Sequence, residues 1–211
     1  MNNCKNIVTE PHYLPNLAFF CQILPFEKIM IEQYAYYVKQ TYRNRSYVLG
    51  ANKVEKLTIP VLEGNKKRLI KDIKIDNSEP WQRTHWRTIT AAYQKSPFFE
   101  FYADYFHPFY TKNYSSLIEY DIDILSMCLK LLQINKTICL TKNYELNYEF
   151  DTFDARGSIS PKNEEKIAVF YKPMPYYQNF GNEFVPNLSV IDLFFCKGPE
   201  SLSVIKNSVY I

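Results

Sequence analysis

The chain has 211 residues, 46% of them hydrophobic and 22% charged, which suits a globular protein and excludes a chain disordered along most of its length. Its 25 basic and 22 acidic residues leave a net charge of +3, too small for a general nucleic-acid or membrane-surface binder, so any anion site must come from local clustering. With 5 glycines and neither GxGxxG nor GxxxxGK[ST], the sequence also argues against a dinucleotide or P-loop nucleotide site.

In chain order, "KNIVTE" (5–10) predicts a first strand and "PHYLP" a turn. Leu17, Phe20, Cys21 and Leu24 then recur at helical spacing behind Asn16, and Pro25 ends that helix. "KIMIEQ" (28–33) reads as a buried strand closed by Glu32 and Gln33. Residues 39–48 read as extended, "KLTIPVL" as a strand, and "IKDIKID" (70–76), with its alternation, as a half-exposed strand. A helix is expected from Trp81 to about Lys95, a second from "SPFF" that Pro108 interrupts, and a third over about 115–132. "KTICLT" (136–141) predicts a strand, and the polar run 151–166 a mobile loop or lid. "KIAVFYK" predicts a strand, 186–198 an apolar helix stopped by Gly198, and "ESLSVIKNS" a last short helix. Strands early, helices in the middle and a strand-helix return give α/β: a mixed sheet with helices packed on it, a helical segment at about 78–133, and one domain over 1–211.

Five cysteines, odd in number and without a CxxC pair, predict no disulfide framework or zinc knuckle. Asp151 and Asp154, beside Arg156 and Gly157, lack a third ligand at recognisable spacing, so no metal is expected. No cofactor is implied. The run "LAFFCQILPF" is short of the ~20 apolar residues of a membrane span, and no secretory leader precedes it, so the chain reads as cytoplasmic.

The charge pattern is uneven in one place. Between Glu32 and Glu55 there is no acid, yet Lys39, Arg43 and Arg45 fall there around Asn44. If that run is extended, Lys39, Thr41, Arg43 and Arg45 share one face, a row suited to phosphate or carboxylate. The other reading is a solvated edge strand protected by charge. Glu32 follows Ile-Met-Ile, where an unpaired carboxylate is costly, so one of these arginines is its expected partner. Its functional role would be general base or ligand for a substrate amine.

His85 falls on the apolar face of the helix from Trp81, with Ile89, Ala92 and Tyr93, opposite Arg83 and Arg87. It is either a satisfied core group or, with an ordinary pKa near neutrality, a general base. His12 lies in a turn before a helix, where an N-terminus attracts anions; His107 is the weaker candidate. Asn187 is expected to cap the late helix, and Asp192, if buried, to need a cation. The pairs Tyr36–Tyr37, Phe98–Phe99 and Tyr176–Tyr177 could stack on a base or sugar, or simply be core.

Taken together, "HYLPN", "IEQ", "KQTYRNR", "LTIPV", "DIKID", "WQRTHW", "SPFF" and "VPNLSVIDLFF" resemble the WbqC-like protein family, over about residues 7–205. The resemblance implies a role in O-antigen-type polysaccharide biosynthesis, with glycyl or aminoacyl transfer to an amino sugar suggested for some members. Tyr13, Pro15, Gln33, Lys39, Arg43, Asn44, Arg45, Pro60, His85, Asn187 and Asp192 are the positions matching its recurring motifs. Pro11-His12 and Glu32 depart from the Gln-Pro and Asp of O-antigen members, so the substrate is expected to differ. The expected partners are small molecules, an anionic sugar or nucleotide sugar and an acyl donor; the alternative is a non-catalytic module binding such a ligand. An RNA-contacting role is disfavoured by the net charge.

Overall fold

The computed structural model describes residues 4–162 and 164–210. Four short strands form one parallel sheet: β1 (Asn6–Thr9), β2 (Lys28–Ile31), and two later strands, β5 (Thr137–Leu140) and β6 (Thr152–Asp154), in the order β5-β2-β1-β6. A separate antiparallel ribbon pairs β3 (Arg45–Leu49) with β4 (Val54–Thr58). The fold is therefore α/β, its parallel and antiparallel pairings divided between two sheets.

Helix α1 (Leu17–Ile23) links β1 to β2, as a parallel pair requires. All seven of its residues are buried, which is why it carries no polar face. Phe19 and Phe20 are fully buried, and truncating either to alanine would cost about 3–5 kcal/mol. From the end of β2 the chain leaves the sheet and builds the ribbon, α2 (Trp81–Tyr93), α3 (Phe99–Phe106) and α4 (Leu117–Leu131) before returning as β5. Pro108 sits in a 3-10 turn, His107–Tyr110, that ends α3 as expected. After β6 come α5 (Val190–Lys197) and α6 (Ser201–Ser208). Gly198 stops α5 at φ +53°, and a Cβ there would lie 2.5 Å from the Phe98 ring.

Several expected elements differ. Residues 39–44 are not extended: Gln40 turns the chain at φ +62°, and the strand begins at Arg45. "IKDIKID" forms a 3-10 turn at Ile70–Asp72 followed by single bridges from Lys74 and Ile75, not a strand. "KIAVFYK" is not a strand: it lies mostly in a 3-10 helix, Glu164–Val169, and is followed by a single bridge, Tyr171–Val209. The polar run 151–166 opens with β6, hydrogen-bonded in register with β1; Asn163 within that run lies outside the described residues.

Candidate functional site

Because the four sheet strands are parallel, their C-terminal ends meet along one edge. In chain order they number first, second, third and fourth, yet lie in space as third-second-first-fourth, so the order reverses between β1 and β6. Open α/β sheets bind ligands at such a reversal. Glu10, just after β1, accepts from Arg43 Nη2 at 2.8 Å and from the Gly157 N–H at 2.9 Å, closing the gap between the two strands.

Glu32 closes β2 on the same edge and is fully buried. Its Oε1 accepts from the N–H groups of Tyr34 (2.7 Å) and Ala35 (3.2 Å) and from the Thr141 hydroxyl (3.1 Å). Its Oε2 accepts from Arg156 Nη1 (3.1 Å) and the Tyr148 hydroxyl (3.4 Å). The cation that answers Glu32 is thus Arg156, not Arg43 or Arg45. Arg156 also holds Asp154 through Nε (2.9 Å) and Nη2 (2.6 Å) and lies over the rings of Tyr144 and Tyr148. Gln33 donates to the Thr141 carbonyl at 2.6 Å. Asp151 is bound to Asn6 and Thr152. Among the described residues no three His, Cys, Asp or Glu side chains are grouped to hold a metal.

The cationic run divides. Lys39 is exposed, Arg45 half-buried and Arg43 buried, so the three do not form one row. Arg43 turns inward to Glu10 and to Thr41 Oγ1 (3.1 Å). Lys39, Asn44 and Arg45 instead wall a cleft of about 430 Å3 with Tyr37, Thr58 and Asn65. Arg45 and Thr58 face each other across the ribbon. Asn44 commits its Nδ2 to the Ile59 carbonyl at 2.8 Å. Asn44 Oδ1, Arg45 Nε and Thr58 Oγ1 are buried and have no partner among the described residues. Buried polar atoms are ordinarily satisfied, so three unanswered ones around a single cleft point to a ligand. Burial pushes the Tyr37 hydroxyl up to about 12; Arg43 and Arg45 oppose that shift and Asp121 adds to it.

Behind this cleft, His85 is inward as its helical position predicts. Its Nδ1 meets the Tyr13 hydroxyl at 3.0 Å, and that hydroxyl meets Tyr110 at 3.0 Å. Burial lowers the His85 pKa to about 4, partly offset by a hydrogen bond to the Thr58 backbone. A backbone group that favours the protonated ring is a carbonyl, so the network assigns the proton to Nε2 and leaves Nδ1 to accept from Tyr13. Trp81 packs edge-on to the ring at 5.1 Å. His12 lies between Phe19 and Tyr42, and burial, then Arg43, lowers its pKa to about 3.

The N-terminus of α1, beside His12, has its N–H donors taken up by the protein. The N–H groups of Leu17, Ala18 and Phe19 donate to the Leu188 carbonyl (3.2 Å), Asn187 Oδ1 (3.0 Å) and Asn16 Oδ1 (3.0 Å). Asn187 therefore caps α1, not its own helix; Ser189 caps α5. Asp192 is fully buried but has no cationic partner among the described residues. It accepts from Tyr93 (2.8 Å), Tyr176 (2.6 Å) and Gln178 (3.0 Å), neutral donors that offset the upward pull of burial on its pKa. Tyr93 in turn accepts the Leu49 N–H at 3.1 Å, so Asp192 anchors the far end of β3.

Glu10, Arg156, Tyr37, Thr58 and Asp121 were not singled out for these roles by sequence. Only Asp121 carried a local signal. It is spaced at i+4 from Leu117 and i−4 from Leu125, on the apolar stripe of α4. It is buried with both carboxyl oxygens unanswered among the described residues, and burial raises its pKa well above the ordinary value.

A family model described as the WbqC-like protein family matches residues 10–155 and 154–204. The uncharacterized protein Rv1507c of Mycobacterium tuberculosis is 21% identical over 221 residues, spanning 93% of this chain and 95% of that protein. No solved structure matches.

Proposed function

The chain belongs to the WbqC-like protein family, and from that premise we propose that it is a transferase moving a small acyl or aminoacyl group onto the amine of an amino sugar or nucleotide-activated sugar. The observation that carries this reading is the trio of unanswered buried atoms, Asn44 Oδ1, Arg45 Nε and Thr58 Oγ1, in a cleft lipped by Lys39. They offer an acceptor, a cationic donor and a hydroxyl. That set suits a phosphate or carboxylate next to an N–H or O–H group.

In this account Arg45 and Lys39 hold the anionic group, and Asn44 Oδ1 accepts from the acceptor amine. Asn44 spends one of its two Nδ2 N–H groups on the Ile59 carbonyl, which fixes the direction of its amide. The transfer forms a C–N bond, breaks the bond from the carbonyl carbon to its leaving group and releases one amine proton. His85 is a positioning residue: its ring joins Tyr13 to the backbone of Thr58, the strand position that faces Arg45 across the ribbon. Glu32 and Arg43 hold the two ends of the segment that leads from β2 into the ribbon.

A second reading is a binding module without turnover. It is favoured by the protein partners that occupy both His85 and Glu32, and by the state of Glu63. Among the described residues lining the cleft, Glu63 is the only carboxylate, and it is tied to Lys66 and Arg68. Incubation with UDP-linked amino sugars and acyl thioesters, read by mass spectrometry, separates the two. Acylated sugar that disappears with Arg45→Ala supports the transferase. Saturable sugar-nucleotide binding with no acylated product across the panel supports the module.

A further inference from the structure

A second cavity, about 620 Å3, opens beside β6, the outer strand of the sheet, away from the residues of the ribbon cleft. Its walls are apolar, with Phe26, Phe153, Val169 and Phe170 among them, and Val169 is 66% exposed although nothing polar requires it there. Its volume lies within the usual ~300–1,000 Å3 of small-molecule sites. One end reaches Gly157 and Ser158, at the reversal of strand order.

At that end the wall is polar and incomplete. Gln22 is 5% exposed, and its Nε2 donates to Ser158 Oγ at 2.8 Å. The Ser158 hydroxyl proton is itself committed to the Ala155 carbonyl at 2.6 Å. Ser158 can therefore only accept from Gln22, which fixes which way the amide points. Among the described residues, Gln22 Oε1 is left buried with no donor, a costly state unless something else supplies one. Lys166 stands on the same rim and brings positive charge. An apolar trough, a buried acceptor awaiting an N–H and a cation at the mouth define one kind of occupant.

We propose that the groove beside β6 binds an anionic acyl-chain amphiphile whose head carries an amide N–H, with the chain against Phe26, Phe153, Val169 and Phe170, the N–H on Gln22 Oε1 and the negative charge at Lys166. This goes beyond the transferase reading and stands whether or not the ribbon cleft binds a sugar. N-decanoylglycine is a suitable probe, titrated calorimetrically into the full chain alongside decyltrimethylammonium, which has the same chain and the opposite charge. Saturable one-to-one binding of the glycine conjugate is expected, with the cationic amphiphile markedly weaker. Val169→Glu, at an exposed position that folding tolerates, should weaken it at least about tenfold by placing a carboxylate against the chain. Gln22→Leu should weaken it about fivefold, the value of one hydrogen bond. Arg45→Ala should leave it unchanged. Equal binding by Val169→Glu, equal binding of the cation, or loss with Arg45→Ala would each overturn the proposal. So would a dimer in sedimentation that Val169→Glu dissociates, since the groove would then belong to a second copy of the chain.

Discussion

The C-terminal edge of the parallel sheet and the cleft over the β3–β4 ribbon both hold buried polar atoms, and they treat them in opposite ways. At the edge, both Glu32 oxygens have partners, Glu10 is bound by Arg43 and Gly157, and Arg156 spans two carboxylates and two rings. In the cleft, Asn44, Arg45 and Thr58 keep atoms that the protein does not answer. A closed network holds loops in place; an open one waits for a partner. The position of the sheet's order reversal would by itself have favoured the edge. The hydrogen bonding favours the cleft.

The largest effect should come from breaking the closed side. Glu32→Ala strands Arg156 and two backbone N–H groups, and should cost about 3–5 kcal/mol in urea denaturation. Its loss of function should track its loss of fold. Arg45→Ala tests the open side. It should cost under about 1 kcal/mol of stability, yet weaken an anionic ligand about 10- to 100-fold, the range for hydrogen bonds to a charged group.

Two buried groups just behind the cleft sharpen the comparison through pH. His85 is neutral with a pKa near 4 against 6.5 when unfolded, so its contribution is full above 6.5 and is lost as pH falls toward 4. His85→Gln should remove about 1.4 kcal/mol per pH unit of acid sensitivity over that window, in denaturation curves taken at successive pH values. Asp121 runs the other way. Its folded pKa is raised above 3.8, so its contribution is full below 3.8 and is lost as pH rises toward the folded value. Asp121→Asn should abolish that slope, again about 1.4 kcal/mol per pH unit, and leave the protein more stable at pH 8. The smallest effect belongs to the Asp192 anchor. Tyr176→Phe removes one of its three donors and should lower the melting temperature by the equivalent of about 1 kcal/mol, with ligand affinity unchanged.

What was legible in the sequence is local. The inward face of α2, the Asn16 cap and the Gly198 stop all follow from spacing within one turn of helix. The family was legible too, from motifs spread along the chain. The pairings were not. Glu32 and Arg156 lie 124 positions apart, and β6 is a strand because its backbone meets β1, although "TFD" has no strand pattern of its own. The period-2 run "IKDIKID" shows the reverse: the alternation is there, but Ile70–Asp72 is taken up by a 3-10 turn that packs against α4. The cationic run failed as one row because 39–44 is not extended: Gln40 turns the chain after Lys39, Arg43 points inward to Glu10, and Arg45 opens strand β3 at the cleft.

The most direct measurement is a calorimetric titration of a UDP-linked amino sugar into the wild-type chain and the Arg45→Ala variant, with fold checked by circular dichroism. The account predicts saturable binding by the wild type and little or none by a fully folded variant. Equal affinity in the two proteins would contradict it, and would return the search for the ligand to the sheet edge.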